Sequence, residues 1–266
     1  MKKLSFLAIA FAAFALTACF TGNKDPKAEE KTEQKSFEQG QVEQKIKQEI
    51  DSIAEKMGQL KQLPFVQEGS KFELTKEEKQ TKPDYLLEAS LAEKAQTLTE
   101  KYRILSALSV DKKIAALYEM PVEEYDKAIA KLTADVDDPS FKDIDVNKSF
   151  FENTDTLYKA MEKNGRINQF WQLAAAGLVE QLFVINKNAD KFLSVVDDKT
   201  AEDLTYHIVL VLDALGRLTE YDPEVKPVAE ALEPLKVLNA TKVDELKAQF
   251  AEAKDKIEAA RKALIK

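Results

Sequence analysis

The 266 residues carry 39 Lys and Arg against 47 Asp and Glu, a formal net charge of −8, with one histidine and one cysteine. An acidic chain with interspersed lysines argues against nucleic acid or an anionic membrane surface as partner, and lone His207 and Cys19 leave no disulfide, no thiolate pair and too few ligands for an ordinary zinc or haem site. Seven glycines and eight prolines fall mostly between stretches rich in Ala, Leu, Glu, Lys and Gln, so the predicted fold is all-α, an antiparallel multi-helix bundle.

Lys2 and Lys3 precede an apolar run, Leu4 to Leu16, that is too short to span a bilayer as a helix. It ends in Leu16-Thr17-Ala18-Cys19, a tetrapeptide that resembles the lipobox of bacterial lipoproteins. The resemblance implies that residues 1–18 are removed as a signal peptide and that Cys19 receives a diacylglycerol thioether and an acylated amino terminus. Several acyl chains hold a protein on a membrane where one is marginal, so no membrane-spanning helix is then needed. Phe20, rather than Asp, follows the cysteine, and by resemblance to Gram-negative sorting this favours the outer membrane. Residues 20–40 are nearly devoid of aliphatic side chains; with the lipidated Cys19 they read as a disordered tether that holds the folded part on the order of 25 Å from the lipid. The helical domain is expected over 41–266.

Val42, Ile46, Ile50, Ile53, Met57 and Leu60 recur at steps of three and four, which predicts an amphipathic helix from Gln41 to Leu63, stopped by Pro64. Pro83 opens a second, with Leu87, Leu91, Ala95, Leu98, Tyr102 and Leu105 on one face and a break near Ser109-Val110-Asp111, where Asp111 caps a shorter segment ending before Pro121. A helix over Val122–Val136, an acidic loop over Asp137–Val146 and a helix over Asn147–Lys163 follow, the last ended by Asn164-Gly165 in left-handed geometry. Residues 167–186 are apolar around most of their circumference and predict a central helix surrounded by others. Thr200-x-x-Asp203 has the form of a capping box and opens a helix to Thr219; Pro223 opens another towards Leu238, and a last one runs from about Thr241 to the end. No repeat of about 20–50 residues recurs, which argues against a regular solenoid.

In the central helix, Gly177-Leu178-Val179-Glu180-Gln181-Leu182-Phe183 resembles a pattern (Gly, a small or aromatic residue, Trp, a β-branched residue, Glu, any residue, Leu, Tyr) of an uncharacterised family of all-helical proteins and lipoproteins from Bacteroidetes-like bacteria. Phe183 takes the place of the family's Tyr, Gly177 stands one position closer, Leu178 stands where Trp is usual, and Trp171 lies seven residues earlier. The resemblance spans Lys101 to Leu238 and implies an all-helical fold. The family has no assigned activity, so no catalytic residue is carried over.

No catalytic, cofactor-binding or metal site is expected. His207 has no Gly-x-Ser-x-Gly turn to serve, and Leu210 stands where the His-x-x-Glu motif of imelysin-type lipoproteins would need Glu. Asp135, Asp137, Asp138, Asp143 and Asp145 are dense oxygen ligands, but an EF-hand loop counted from Asp135 would need Gly and Glu where Ser140 and Val146 stand. They read as a solvated loop that caps helix starts. Glu180 is the residue of interest, because a carboxylate among Leu178, Val179, Leu182 and Phe183 must reach water, be paired or stay protonated. In a hairpin with the helix after Thr200, a turn centred between Leu193 and Ser194 places Glu180 opposite His207, and one near Asp198 brings it towards Arg217. The first is favoured, since Asn186-Lys187-Asn188 is a poor helix interior. Phe170 and Trp171 read either as core or as the wall of an apolar ligand pocket, and Ala174, Ala175, Ala176 and Gly177 form a small-residue patch for close helix approach.

The function expected from these features is a non-enzymatic, membrane-tethered helical module that binds an envelope protein or another envelope component, held by its lipid anchor and using no cofactor. The alternative is a carrier of small apolar ligands with a cavity near Trp171.

Overall fold

The computed structural model describes residues 74–142, 144 and 153–265, together with residues 41, 44, 45, 47, 48, 51 and 52. The signal segment, Cys19 and the tether lie outside the described residues, as does most of the helix expected over 41–63. The residues of that segment that are described are helical.

Beyond those residues, nine α-helices and three short 3-10 helices account for the regular structure of the described residues, and among them there is no strand. The helices are α1 (Lys76–Gln80), α2 (Leu98–Leu117), α3 (Glu123–Val136), α4 (Thr154–Lys163), α5 (Ile167–Lys187), α6 (Ala189–Val195), α7 (Asp198–Leu218), α8 (Lys226–Leu232) and α9 (Val243–Leu264). The chain is an all-α bundle. No described helix is long and apolar enough to cross a membrane.

Local chemistry sets the ends of these helices. Thr97 and Glu100 form a reciprocal capping box, Glu100 N–H to Thr97 Oγ1 at 3.1 Å and Thr97 N–H to Glu100 Oε2 at 2.9 Å, so α2 starts there and not at Pro83. This corrects the expected second helix: residues 81–97 run as an irregular strap with a 3-10 turn at Ala89–Glu93, and Leu87, Leu91 and Ala95 pack half-buried on the core from that strap. Nor does Asp111 cap anything; α2 is continuous through it, and its side chain is fully buried. Gly165 closes α4 at φ +67°, with its N–H on the Glu162 carbonyl at 3.1 Å, as the Asn164-Gly165 pair predicted. Helix α7 begins two residues before the expected Thr200, because Asp197 accepts from the Thr200 N–H at 2.8 Å. Its next residue, Asp198, reaches across to accept from the Val243 N–H at 3.1 Å and pairs with Lys242 at 2.9 Å, supplying the N-terminal partner that α9 lacks in its own sequence.

Helix α5 is the axis. It is buried over almost its whole length and packs chiefly against α2 and α9, with α7 and α4 beside them. Adjacent helices in sequence are antiparallel where the connection is short, as in α2 and α3, where Lys112 meets Asp126 at one end and Tyr102 meets Asp138 at the other. Helices α2 and α5 run parallel: Asp111 lies beside Glu180, Ile114 and Tyr118 pack with Val184, and the Tyr118 hydroxyl donates to Asn188 Oδ1 at 3.3 Å, a constant offset along both chains. Helix α9 runs back along another side of α5, pairing Arg261 with Glu180 and Lys187 with Glu258. The large core side chains include Trp171, Tyr102, Phe170, Phe192 and Phe250, each worth about 1.5–3 kcal/mol or more when removed from water.

Candidate functional site

Three helices and the strap converge on Glu180. Its side chain is fully buried, and both carboxylate oxygens are held by Arg261 of α9, Nε to Oε2 and Nη2 to Oε1, each at 2.7 Å. The guanidinium also lies over the Phe183 ring, 3.9 Å from Cζ to the ring centre, and Nη2 donates to the Tyr85 carbonyl at 3.1 Å. This bidentate, stacked geometry suits arginine and not lysine.

Asp111 of α2 is the second carboxyl. It is equally buried; Oδ2 accepts the Leu87 N–H at 2.6 Å and lies 4.0 Å from Arg261 Nη2. Its other oxygen, Oδ1, has no donor among the described residues. Two ionised carboxylates on one guanidinium would leave a net negative charge in the core, whereas one proton makes the cluster neutral. That proton resides on Asp111, because Glu180 already has both oxygens on Arg261. Burial, then the neighbouring Glu180 charge, pushes the Asp111 carboxyl well above the usual range. Burial also raises Glu180, against the opposing pull of its bonds to Arg261.

The same groups satisfy the strap. The Leu87 N–H goes to Asp111, the Leu87 carbonyl accepts from the Tyr125 hydroxyl of α3 at 2.7 Å, and the Tyr85 carbonyl takes Arg261. The Tyr85 hydroxyl accepts from Asn188 Nδ2 at 2.7 Å, just past the end of α5. An irregular segment laid over a core has no ladder for its backbone, so these side chains provide the partners. Burial pushes Tyr125 up to about 12, with the Asp111 and Glu180 charges adding to the effect, and pushes Tyr85 higher still. On the outside, Arg261, Leu87, Phe183, Lys187, Glu258, Lys262 and Ile265 line an open hollow of about 390 Å³.

The expected partners of Glu180 need correction. Arg217 bonds Asp213 one turn earlier on α7, Nε to Oδ2 at 3.1 Å, and is a third exposed; it borders a different hollow of about 540 Å³ with Val209 and Lys236. His207 is buried on α7, and both Glu180 oxygens are engaged by Arg261 of α9. The physical reason is α9, whose last turn brings the Arg261 guanidinium onto both Glu180 oxygens. The connection is also not a plain loop, since α6 lies inside it. Asn188 does stop α5, its N–H on the Val184 and Ile185 carbonyls.

Phe170 and Trp171 are core. Each is about 1% exposed, and with Tyr158 they form an edge-to-face cluster, Phe170 to both neighbours at 5.0 Å between ring centres. Neither residue lines the two hollows above. Asp135, in the last turn of α3 before the acidic loop, pairs with Lys131 at 2.8 Å and Lys101 at 3.7 Å. Asp138 is buried, bonded by the Tyr102 hydroxyl and the Ser140 N–H, while Asp137 ends α3 at φ +44°. Asp143 and Asp145 lie outside the described residues, and no group of His, Cys, Asp or Glu suited to hold a metal occurs among the described ones.

No protein-family model, curated protein or solved structure matches this chain. Sequence reasoning found Glu180 but missed Asp111 and Arg261. Asp111 had a usable signal, an aspartate between Val110 and Ile114 on a helix whose flanking turns are apolar; Arg261, in a helix crowded with charge, had none.

Proposed function

We propose that this protein is a lipid-anchored helical lipoprotein of the bacterial cell envelope, held by Cys19, that binds an envelope protein or another envelope component and catalyses no reaction. The observation that carries the reading is Leu16-Thr17-Ala18-Cys19 at the end of a short apolar run behind two lysines, because this arrangement positions a cysteine for lipidation and specifies a membrane surface as the working place. The buried polar cluster adds support. Both oxygens of Glu180 and two nitrogens of Arg261 are engaged by neighbouring protein groups, the arrangement of a structural knot and not of groups poised on a substrate. The outer membrane is the proposed location, from Phe20 after the cysteine.

The test is fractionation followed by capture. Cys19→Ser should move the protein from the membrane fraction to the soluble fraction, and crosslinking in intact envelopes should then recover a defined partner with the native form and lose it with the variant. Retention of Cys19→Ser on membranes washed at high salt would place the anchor elsewhere. A lipid or other apolar molecule that copurifies in stoichiometric amount, with no crosslinked partner, would replace the binding-module reading with a carrier.

A further inference from the structure

We propose that residues 82–88 form a proton-held latch: the strap stays closed over α2, α3 and α9 while the Asp111 carboxyl keeps its proton, and ionisation of Asp111 releases it. The proposal rests on the buried cluster alone and is independent of the lipid anchor.

The groups that face Asp111 are Glu180 from α5, Arg261 from α9, Tyr125 from α3 and Tyr85 from the strap itself. Arg261 is the one cation among them, and Glu180 occupies it bidentately. Lys112, the next residue on α2, points to Asp126 at 2.5 Å. An ionised Asp111 would thus sit fully buried beside Glu180, with only a 4.0 Å share of the Arg261 cation that Glu180 occupies and one oxygen lacking a donor among the described residues. Water is the available remedy, and something must move to admit it. The helices cannot move cheaply, since Asp111 and Glu180 lie mid-helix among buried neighbours. The strap can. Tyr85, Leu86 and Leu87 are only partly buried; an ionised Asp111 would draw the Leu87 N–H more strongly, but burial and the Glu180 charge weigh more heavily against the buried anion than that one bond weighs for it. Lifting it would also uncover Phe183, against which Tyr85 stands edge-on at 6.1 Å and Leu87 forms the adjoining wall of the outer hollow.

Amide exchange of the full-length chain tests this, read at the strap and at α5 from about pH 6 to about pH 9.5 and corrected for the base-catalysed intrinsic rate. Tyr125 is pushed up to about 12 and Tyr85 higher, so neither phenol ionises in that window. In the native protein, protection of the Leu87 amide should fall by roughly tenfold or more as pH rises while α5 keeps its protection. Asp111→Asn should abolish the fall, because a carboxamide accepts from Leu87 and donates to Glu180 without titrating. Glu180→Gln should abolish it too, by giving an ionised Asp111 the whole of Arg261 as counter-ion; this second variant decides the matter if the first does not fold. Flat protection in the native protein, a fall shared equally by α5, or a fall that persists in the folded variants would each overturn the latch.

Discussion

Replacing Arg261 by methionine should be among the most damaging single changes in the molecule. The side chain makes two 2.7 Å bonds to Glu180, a third at 3.1 Å to the Tyr85 carbonyl and a stacking contact on Phe183. Methionine can keep the apolar contact with Phe183 and none of the rest. Removing one member of a buried ion pair costs about 3–5 kcal/mol, because the other charge stays behind. In a domain of this size that lowers the melting temperature by roughly 6–20 °C. The loss must also depend on pH with a definite sign. Arg261 holds the Glu180 carboxyl down; without it Glu180 takes up a proton in the folded state that it lacks when unfolded near neutrality. The variant therefore loses stability relative to the native protein as pH rises from the unfolded glutamate range, at up to about 1.4 kcal/mol per pH unit. Urea unfolding near about pH 4.5 and about pH 7.5 should show the smaller deficit in acid. Adding Glu180→Leu to Arg261→Met removes the stranded carboxylate, and should recover all but about 1–3 kcal/mol for the orphaned Tyr85 carbonyl. A single variant that costs under about 1 kcal/mol, or a double variant no more stable than the single, would refute this account of the cluster.

Two glycines make an internal control for the backbone argument. Gly165→Ala forces an L residue into φ +67° although its Cβ would meet nothing within 4 Å, and should cost about 1 kcal/mol, whereas Gly216→Ala, in the last turn of α7 with the same open space, should gain up to about 1 kcal/mol in thermal unfolding. Tyr102→Phe strips the hydroxyl from buried Asp138, which keeps its bond from the Ser140 N–H; unfolding should become easier by about 1–3 kcal/mol, and a cost near zero would mean that water replaces the phenol.

The helices that could be read in the sequence are those whose ends have local chemistry. Residues 167–186 announced a buried helix because no face was polar, and the structure puts that helix at the axis as Ile167–Lys187. Val122–Val136 and the Asn164-Gly165 stop were legible for the same kind of reason: a periodic face, then a residue suited to left-handed geometry. The strap was misread because Leu87, Leu91, Ala95 and Leu98 have helical spacing whether or not the chain is helical, and periodicity cannot see that Thr97 and Glu100 make a better start than Pro83.

The site failed in sequence for a different reason, one of neighbours. A periodic face says which side of a helix is buried and is silent on what lies against it. Glu180 had to have a partner, and the short connection to α7 nominated His207 or Arg217. The structure fills that place from α9 and α2 instead, which lie 81 residues after and, by the parallel packing of α2, well before it. Arg261 is one of many cations spaced along α9, several of them in ordinary surface pairs such as Lys256 with Glu252, so its residue type carried no mark of burial. The mark is in the strap. Once the chain crosses α2 and α9 without a ladder of its own, the Tyr85 carbonyl and the Leu87 N–H need buried partners, and a guanidinium and a protonated carboxyl at those two points meet the strap's needs and the Glu180 charge together. The cluster follows from the irregularity of residues 82–88, and that irregularity became visible only when the fold had placed the strap.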